Sequence, residues 1–296
     1  MHSKGSPVFD WNSLPADYPA LYELLNDSYE HLYSAATERL AVISGISNGD
    51  AVVDVGSGSG LSTEIVAHTV GRSGHVLAID PSIAMLKRAR ERVYSCPVTF
   101  HKGTAEDIYS ISERGGFLGC DQILSSFTYY YTFRDRLSLH RSVYAVLKSG
   151  GKWVFNLTKY LGQMRIAGNE YNTFGEIYVD QLKSTVARYG IDPGVQNDET
   201  SGQFTDTDWE AAELQAAGFV DIEIEAWPLP LAPSEAFRFT LDGFYRHGSR
   251  VTFLPFLMNI PIDQRIELMQ EALTACADEL DSQPPPHIAN FVARRP

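Results

Sequence analysis

The chain reads as an α/β protein whose mostly parallel sheet is covered by helices on both faces. Two observations predict this. From Ala51 to Leu157, short apolar runs of strand length alternate with helical patterns of about 10 to 15 residues, the mark of strand–helix–strand units. A glycine-rich turn also follows the first of these runs directly and opens a helix. The 296 residues, 44% of them apolar, suffice for a sizeable core, and the composition gives no sign of extended disorder.

In chain order, Met1 to Pro7 read as a loose tail. Aromatic and aliphatic residues recur at helical spacing from Ala16 to Ile43 (Tyr18, Leu21, Tyr22, Leu25, Tyr29, Leu32, Tyr33, Ala36, Leu40), which predicts one or two amphipathic helices. Asn48-Gly49 marks a turn, and Ala51–Val55 a fully buried strand. Helix Leu61–Val70 and strand His75–Ile79 follow. The next helix spans Ser82 to Val93, with Ile83, Leu86, Ala89 and Val93 on one face. Strands Val98–His101 and Asp121–Leu124, helix Arg136–Leu147 and strand Lys152–Leu157 complete the alternation. About 45 residues after Thr158 read as irregular. Helix Asp208–Ala217, ended by Gly218, and strand Val220–Trp227 come next, with Trp209 expected in the core. Pro228 to Pro286 form a second irregular stretch with helical patterns near Ser234–Tyr245 and Asp263–Leu280, and His287–Arg294 is a final strand. The expected organisation is an N-terminal helical lid (1–46), a core at 47–160, 205–227 and 287–296, and two acceptor-covering insertions at 161–204 and 228–286.

A net charge of −13 argues against nucleic acid as a partner, because such a surface repels phosphate backbones. The basic stretch Lys87 to Arg92 reads as the solvated face of its helix. A small-molecule partner fits better. No apolar run is long enough to span a membrane and no secretory signal begins the chain, so a cytoplasmic protein is expected. Cys96, Cys120 and Cys276 are widely spaced, as reduced core residues would be, and no metal site is legible.

The sharpest local signal is Val52-Val53-Asp54-Val55-Gly56-Ser57-Gly58-Ser59-Gly60. Glycines admit positive φ and let backbone approach a ligand closely. A dinucleotide site asks for GxGxxG, whereas Gly56, Gly58 and Gly60 form GxGxG, so a dinucleotide-dependent oxidoreductase is disfavoured. Asp54, a carboxylate on a buried strand, needs partners there; it either braces the glycine loop or faces a ligand ammonium. Asp80, followed by Pro81, closes the second strand twenty residues after Gly60, where a carboxylate accepts hydrogen bonds from ribose hydroxyls. Its other reading, a cap on the next helix, is a job that Ser82 can do. After the third strand, the polar loop Gly103 to Asp107 can reach an adenine edge.

Together these segments resemble the class I S-adenosylmethionine-dependent methyltransferase family over roughly 48–158 and 205–227. The run Ala145 to Lys152 resembles the family's turn before its fifth strand, with Ser149 in place of proline, and Arg295-Pro296 resembles the end of many such chains. The resemblance implies a Rossmann-like, doubly wound sheet of seven strands, mostly parallel with the last antiparallel, and S-adenosylmethionine as cofactor. It places the cofactor against Asp54, Gly56, Ser57, Gly58, Gly60, Asp80, Pro81, Thr104, Ala105, Glu106 and Ser125, although many members carry an acid where Thr104 stands.

Methyl transfer from a sulfonium asks mainly for alignment and exclusion of water, and a base is needed only if the acceptor must lose a proton. The family has no fixed base. Tyr29, His31, Tyr129 to Tyr131, Lys159, Tyr160 and Arg246-His247 are the available polar groups, and Tyr29, Tyr130 and His247 are taken as the catalytic candidates. Aromatic residues crowd the segments expected to cover the site, which suits an apolar or aromatic metabolite methylated on oxygen, nitrogen or carbon. Two alternatives remain: a module that binds the cofactor without catalysis, and an enzyme coupling methylation to rearrangement or cyclisation.

Overall fold

The computed structural model describes residues 16–128, 135–158, 164–191, 205–242 and 260–296. Seven strands form one sheet: β1 (Ala51–Val55), β2 (His75–Asp80), β3 (Val98–Lys102), β4 (Cys120–Ser125), β5 (Leu147–Leu157), β9 (Val220–Pro228) and β10 (His287–Arg294). Their order is β3-β2-β1-β4-β5-β10-β9. All neighbours pair in parallel except at β10, which runs antiparallel to β5 and β9 on either side of it. The expected seven-stranded, doubly wound architecture is therefore the observed one.

Alternating residues supply the two faces. Val53, Val55, Leu77, Ile79, Ile123, Trp153, Phe155 and Phe291 form one core. They pack with α5 (Ile108–Gly115), α6 (Arg136–Val146) and α8 (Thr207–Ala216). Val52, Val76, Leu124, Val154 and Val292 form the opposite core, under α2 (Leu32–Ser44) and α3 (Leu61–Val70). Period-two side-chain alternation buried on both faces is what makes these strands read as continuous apolar runs.

The additions are ordered as well. Helices α7 (Gly175–Arg188), α9 (Pro233–Thr240) and α10 (Ile262–Asp281) share a separate core that includes Phe174, Tyr178, Leu182, Phe237, Leu268, Met269, Leu273 and Leu280. The two insertions thus meet as one three-helix unit. At the N-terminus, α1 (Tyr18–Ser28) and the first half of α2 pack with Leu229, Leu231 and Phe239, while Leu40 and Ala41 of α2 cover the sheet itself.

Several local expectations need correction. Helix α4 covers only Ile83–Ala89. Met85, Leu86 and Ala89 are buried, but Val93 is 89% exposed and Ile83 59%. The chain leaves this helix through tight i→i+3 bonds, Glu91 N–H to Arg88 and Arg92 N–H to Ala89. The basic stretch on it is not simply solvated, because Arg88 and Arg92 pair with Glu23 of α1. The segment 108–115, given no element in the sequence reading, is helix α5, entered through a 3-10 turn at Ala105–Asp107. The expected turn at Leu147–Gly151 is the irregular start of β5, where the pairing with β4 shifts register between Cys120 and Gln122. The stretch after Thr158 is not wholly irregular. It contains β6 (Met164–Ile166), β7 (Asn169–Tyr171) and α7, whose buried face is Tyr178, Leu182, Thr185 and Val186. Two-residue β8 (Thr205–Asp206) pairs with β6. Trp209 is 53% exposed, its ring covered by the Arg136 guanidinium rather than by the core.

Candidate cofactor and acceptor site

The chain proceeds outward from β1 to β2 and β3, then returns to place β4 on the other side of β1. Such a reversal leaves a crevice at the carboxyl ends of β1 and β4, where ligands bind in open α/β sheets. The glycine loop leaves β1 at this point and Ser125 ends β4.

The glycines of the loop do different work. Gly56 (φ 78°) and Gly60 (φ 89°) are required by packing: a Cβ on Gly56 would lie 2.2 Å from the Thr128 side chain, and one on Gly60 2.4 Å from the Tyr94 hydroxyl. Gly58 (φ 54°) alone faces open space, with nothing within 4 Å of an added Cβ. The close backbone approach expected of the loop therefore falls on Gly58.

Asp54 is fully buried. Its Oδ2 accepts hydrogen bonds from the Ser62 and Thr63 hydroxyls at the start of α3, both at 2.7 Å. It braces that helix end rather than the loop itself, and its Oδ1 has no partner. Burial, set against those two hydroxyl bonds, pushes its carboxyl up to about 6. Asp80 is nearly as buried. Its Oδ2 accepts the Gly58 N–H at 2.9 Å and its Oδ1 the Ser82 N–H at 2.8 Å, so it ties β2 to the loop. Burial pushes it to about 6 as well. Ser82 caps α4 by accepting from the Met85 N–H, the task the sequence assigned to it. The buried hydroxyls of Ser57, Ser59 and Ser125 have no partner. Buried polar atoms are almost always satisfied, so their gathering at this crevice marks a place for a polar ligand.

On the adenine side, Ala105 is buried, while Glu106 and Thr104 are exposed. The Thr104 hydroxyl is engaged by Asp107 Oδ2 at 3.1 Å in the cap of the 3-10 turn. Pro81 is half-buried behind Asp80.

Helix α1 stands across the crevice. Burial and the Asp80 charge raise the Tyr18 phenol to about 12. Burial, with the charges of Tyr18, Asp80 and Asp54, raises the Tyr22 phenol well above its ordinary value. Tyr22 stacks on Tyr33 at 4.1 Å, and Tyr33 meets Phe127 and Phe239 edge-on at 5.0 and 5.5 Å. Tyr29 completes the row, 5.4 Å from Phe239, and its hydroxyl donates to Asp242 Oδ2 at 2.6 Å. This end lines a groove of about 400 Å³ between α1 and α9, with Leu21, Leu25, Arg238 and Asp242 in its walls. Tyr130, with Tyr129 and Tyr131, lies outside the described residues, as do Lys159, Tyr160, Arg246 and His247. His31 is an exposed residue in the left-handed turn between α1 and α2.

Sequence reasoning missed Asp242, Ser62, Thr63 and Asn156. Asn156 Oδ1 accepts the Phe127 N–H at 2.7 Å and holds Phe127 at φ 55°, a conformation costly for a non-glycine residue. Only Ser62 and Thr63 had a signal, as hydroxyls in the first turn of a helix beside a strand acid. Among the described residues, no group of three or more His, Cys, Asp or Glu is placed to hold a metal, and no helix is long and apolar enough to cross a membrane.

A glycine loop, two buried acids at adjacent strand ends and unpaired hydroxyls at a switch-point crevice make this the candidate site for a nucleotide-type ligand on an α/β core. Residues 52–151 match the family described as methyltransferase domain. An arsenite methyltransferase of Aquipseudomonas alcaligenes is 28% identical over 66% of this chain and 59% of its own length. A ubiquinone/menaquinone biosynthesis C-methyltransferase of Klebsiella pneumoniae is 28% identical over 48% of this chain and 55% of its own. The chain thus spans little more than half the length of these relatives. Among solved structures, the cyclase SpnF superimposes over 99% of both chains, with a TM-score of 0.58 at 16% identity. Over residues 52–151 the chain is similar to methyltransferase domains, and S-adenosylmethionine is the cofactor that this similarity supports.

Proposed function

We propose that the chain transfers the methyl group of S-adenosylmethionine to oxygen, nitrogen or carbon of a small apolar or aromatic metabolite. The observation that carries this reading is the set of unpartnered buried oxygens on Asp54, Ser57, Ser59 and Ser125, at the carboxyl ends of β1 and β4 and in the loop between β1 and α3. When bound, the cofactor supplies an already activated methyl on a positively charged sulfur. The protein's part is then to bind, align and keep water out. Asp54 Oδ1 suits an ammonium, and ionised Asp54 and Asp80 suit a cationic ligand generally. Asp80 keeps lone pairs free beside its two N–H bonds for ribose hydroxyls. Thr104, Ala105 and Glu106 would border the adenine, with the Ala105 side chain as an apolar edge and the Thr104 hydroxyl already committed to Asp107.

The acceptor side is assigned to the aromatic row from Tyr22 to Tyr29. Its rings offer an apolar wall, and their faces stabilise nearby positive charge. Tyr29 is the catalytic candidate with a described partner, since Asp242 holds its proton and orients its oxygen. Tyr130 and His247 stand as further candidates. The three-helix unit and α1 would cover this acceptor, and a small ligand suits the acidic surface better than a nucleic acid.

Calorimetry with S-adenosylhomocysteine tests the cofactor reading, and absence of binding would sink it. Turnover with methyl-labelled cofactor across aromatic and apolar acceptors tests the rest. A second reading has one observation in its favour: the likeness to the cyclase SpnF includes the added helices. That reading is methylation coupled to rearrangement or cyclisation, and label uptake into an acceptor that is also rearranged would favour it.

A further inference from the structure

Arg92 sits on the turn after α4 and donates in three directions. Its Nε reaches the Ser59 carbonyl of the glycine loop at 2.8 Å, its Nη1 Glu64 of α3 at 2.6 Å, and its Nη2 Glu23 of α1 at 2.6 Å. Glu23 follows Tyr22 in the chain, and its carboxylate also accepts from Arg88, at 2.7 Å from Nη2 and 3.1 Å from Nε. Arg92 and Glu23 are largely covered, with side chains 20% and 15% exposed. An isolated surface ion pair contributes little, but a network of forked guanidinium contacts among partly buried groups has both geometry and reduced screening on its side. Beyond this network α1 packs with α2, α4 and the apolar Leu229, Leu231 and Phe239, and through Arg92 the network joins α1 to the glycine loop at the Ser59 carbonyl.

We infer that Arg92 is a positioning residue that sets the spacing between the glycine loop and α1, and that its pairing with Glu23 must part for the cofactor to enter or leave. The inference rests on the cofactor reading above. Arginine suits the post because its planar fork spreads donors over three nitrogens aimed at three elements, whereas the three donors of a lysine ammonium radiate from one nitrogen. The consequence is a ligand residence time governed by an ion pair that touches no ligand. Raising ionic strength screens the pair and shortens that time.

The test uses the full chain and the variants Glu23→Gln and Arg92→Lys. In the ligand-free protein, Glu23→Gln is expected to speed hydrogen exchange across Tyr18–Ser28 and to leave Leu61–Val70 unchanged. Stopped-flow release of S-adenosylhomocysteine should accelerate with salt in the unmodified protein. In Glu23→Gln it should be about fivefold faster at low salt, the worth of a modest ion pair, and no longer respond to salt. Arg92→Lys should loosen both α1 and residues 56–60. Wild-type exchange in α1 together with wild-type, salt-dependent release in Glu23→Gln would overturn the inference. If the unmodified chain binds no S-adenosylhomocysteine, the cofactor reading fails and the exchange experiment alone decides the latch.

Discussion

The crevice at β1 and β4 and the three-helix unit are built on opposite terms. Around the crevice, buried oxygens lack partners, two carboxylates are held near pKa 6 by burial, and backbone adopts positive φ. In the three-helix unit, Tyr178, Phe237, Leu268 and Leu273 interlock in an apolar core, and the Tyr178 hydroxyl is satisfied by the Met269 carbonyl. Unsatisfied polar groups and strain are tolerated where a ligand repays them; at the crevice four such side chains come together, whereas Ser112, Gln122 and Asn290 are scattered through the core. The difference separates a region organised for binding from one organised to fold upon it.

The largest expected effect lies on the stability side. Phe237 packs against Tyr178 at 4.5 Å and Phe174 at 6.1 Å. Phe237→Ala should cost about 3–5 kcal/mol by leaving a cavity, seen as a lowered thermal transition. S-adenosylhomocysteine affinity should be unchanged, and a parallel loss of binding would show that the two regions are one cooperative unit.

The glycines sharpen the contrast within the crevice. Gly60→Ala forces a Cβ against Tyr94 at positive φ, and about 2–4 kcal/mol of stability should go with it. Gly58→Ala meets no neighbour and should cost only about 1 kcal/mol of stability, from its backbone conformation. Ligand affinity should nevertheless fall more in Gly58→Ala than that stability loss suggests, because the added methyl enters ligand space. Equal affinity in Gly58→Ala and the unmodified chain, by calorimetry, would move the ligand away from the loop.

Asp80→Ala removes the acceptor of the Gly58 and Ser82 N–H groups as well as the proposed ribose contact. Cofactor affinity should fall by at least about 1.5 kcal/mol. Unchanged calorimetric binding would remove Asp80 from the site.

The acids also predict a pH dependence, and its sign is the reverse of the common surface carboxylate. Asp54 and Asp80 are raised from 3.8 to about 6, so the folded chain holds their protons more tightly than the unfolded chain. Their contribution to ligand-free stability is therefore present below about pH 4 and is lost as pH rises through 6. A cationic ligand prefers the ionised carboxylates, so its affinity should instead rise with pH up to about 6, approaching tenfold per unit for each acid below that point. A flat affinity profile between pH 5 and 7 would mean that neither carboxylate titrates against the ligand.

Much of this contrast was legible in the chain itself. Strands β1, β2, β4 and β5, helices α3, α6 and α8, and the acids Asp54 and Asp80 were readable because buried parallel strands are apolar throughout and loops at their ends are marked by glycine. Helix α7 was not read, although its buried residues keep helical spacing, and the partners that cover them, Phe237 and Leu268 among them, come from another insertion. The end of α4 was misplaced because Arg92 serves the loop and α1 rather than its own helix.

The amino-acid sequence by itself determined the sheet, its helical cover and the glycine loop, since each follows from periodicity and local backbone rules acting within a few residues. Tertiary structure decided the rest. Only the folded chain brings Asp242 to Tyr29, more than two hundred residues away, and Glu23 of α1 to Arg92 beyond α4. Only there does Gly58 differ from its neighbours, because what surrounds a glycine is set by distant side chains, Thr128 against Gly56 and Tyr94 against Gly60. Such pairings depend on how elements come together in space, and no local pattern carries that information.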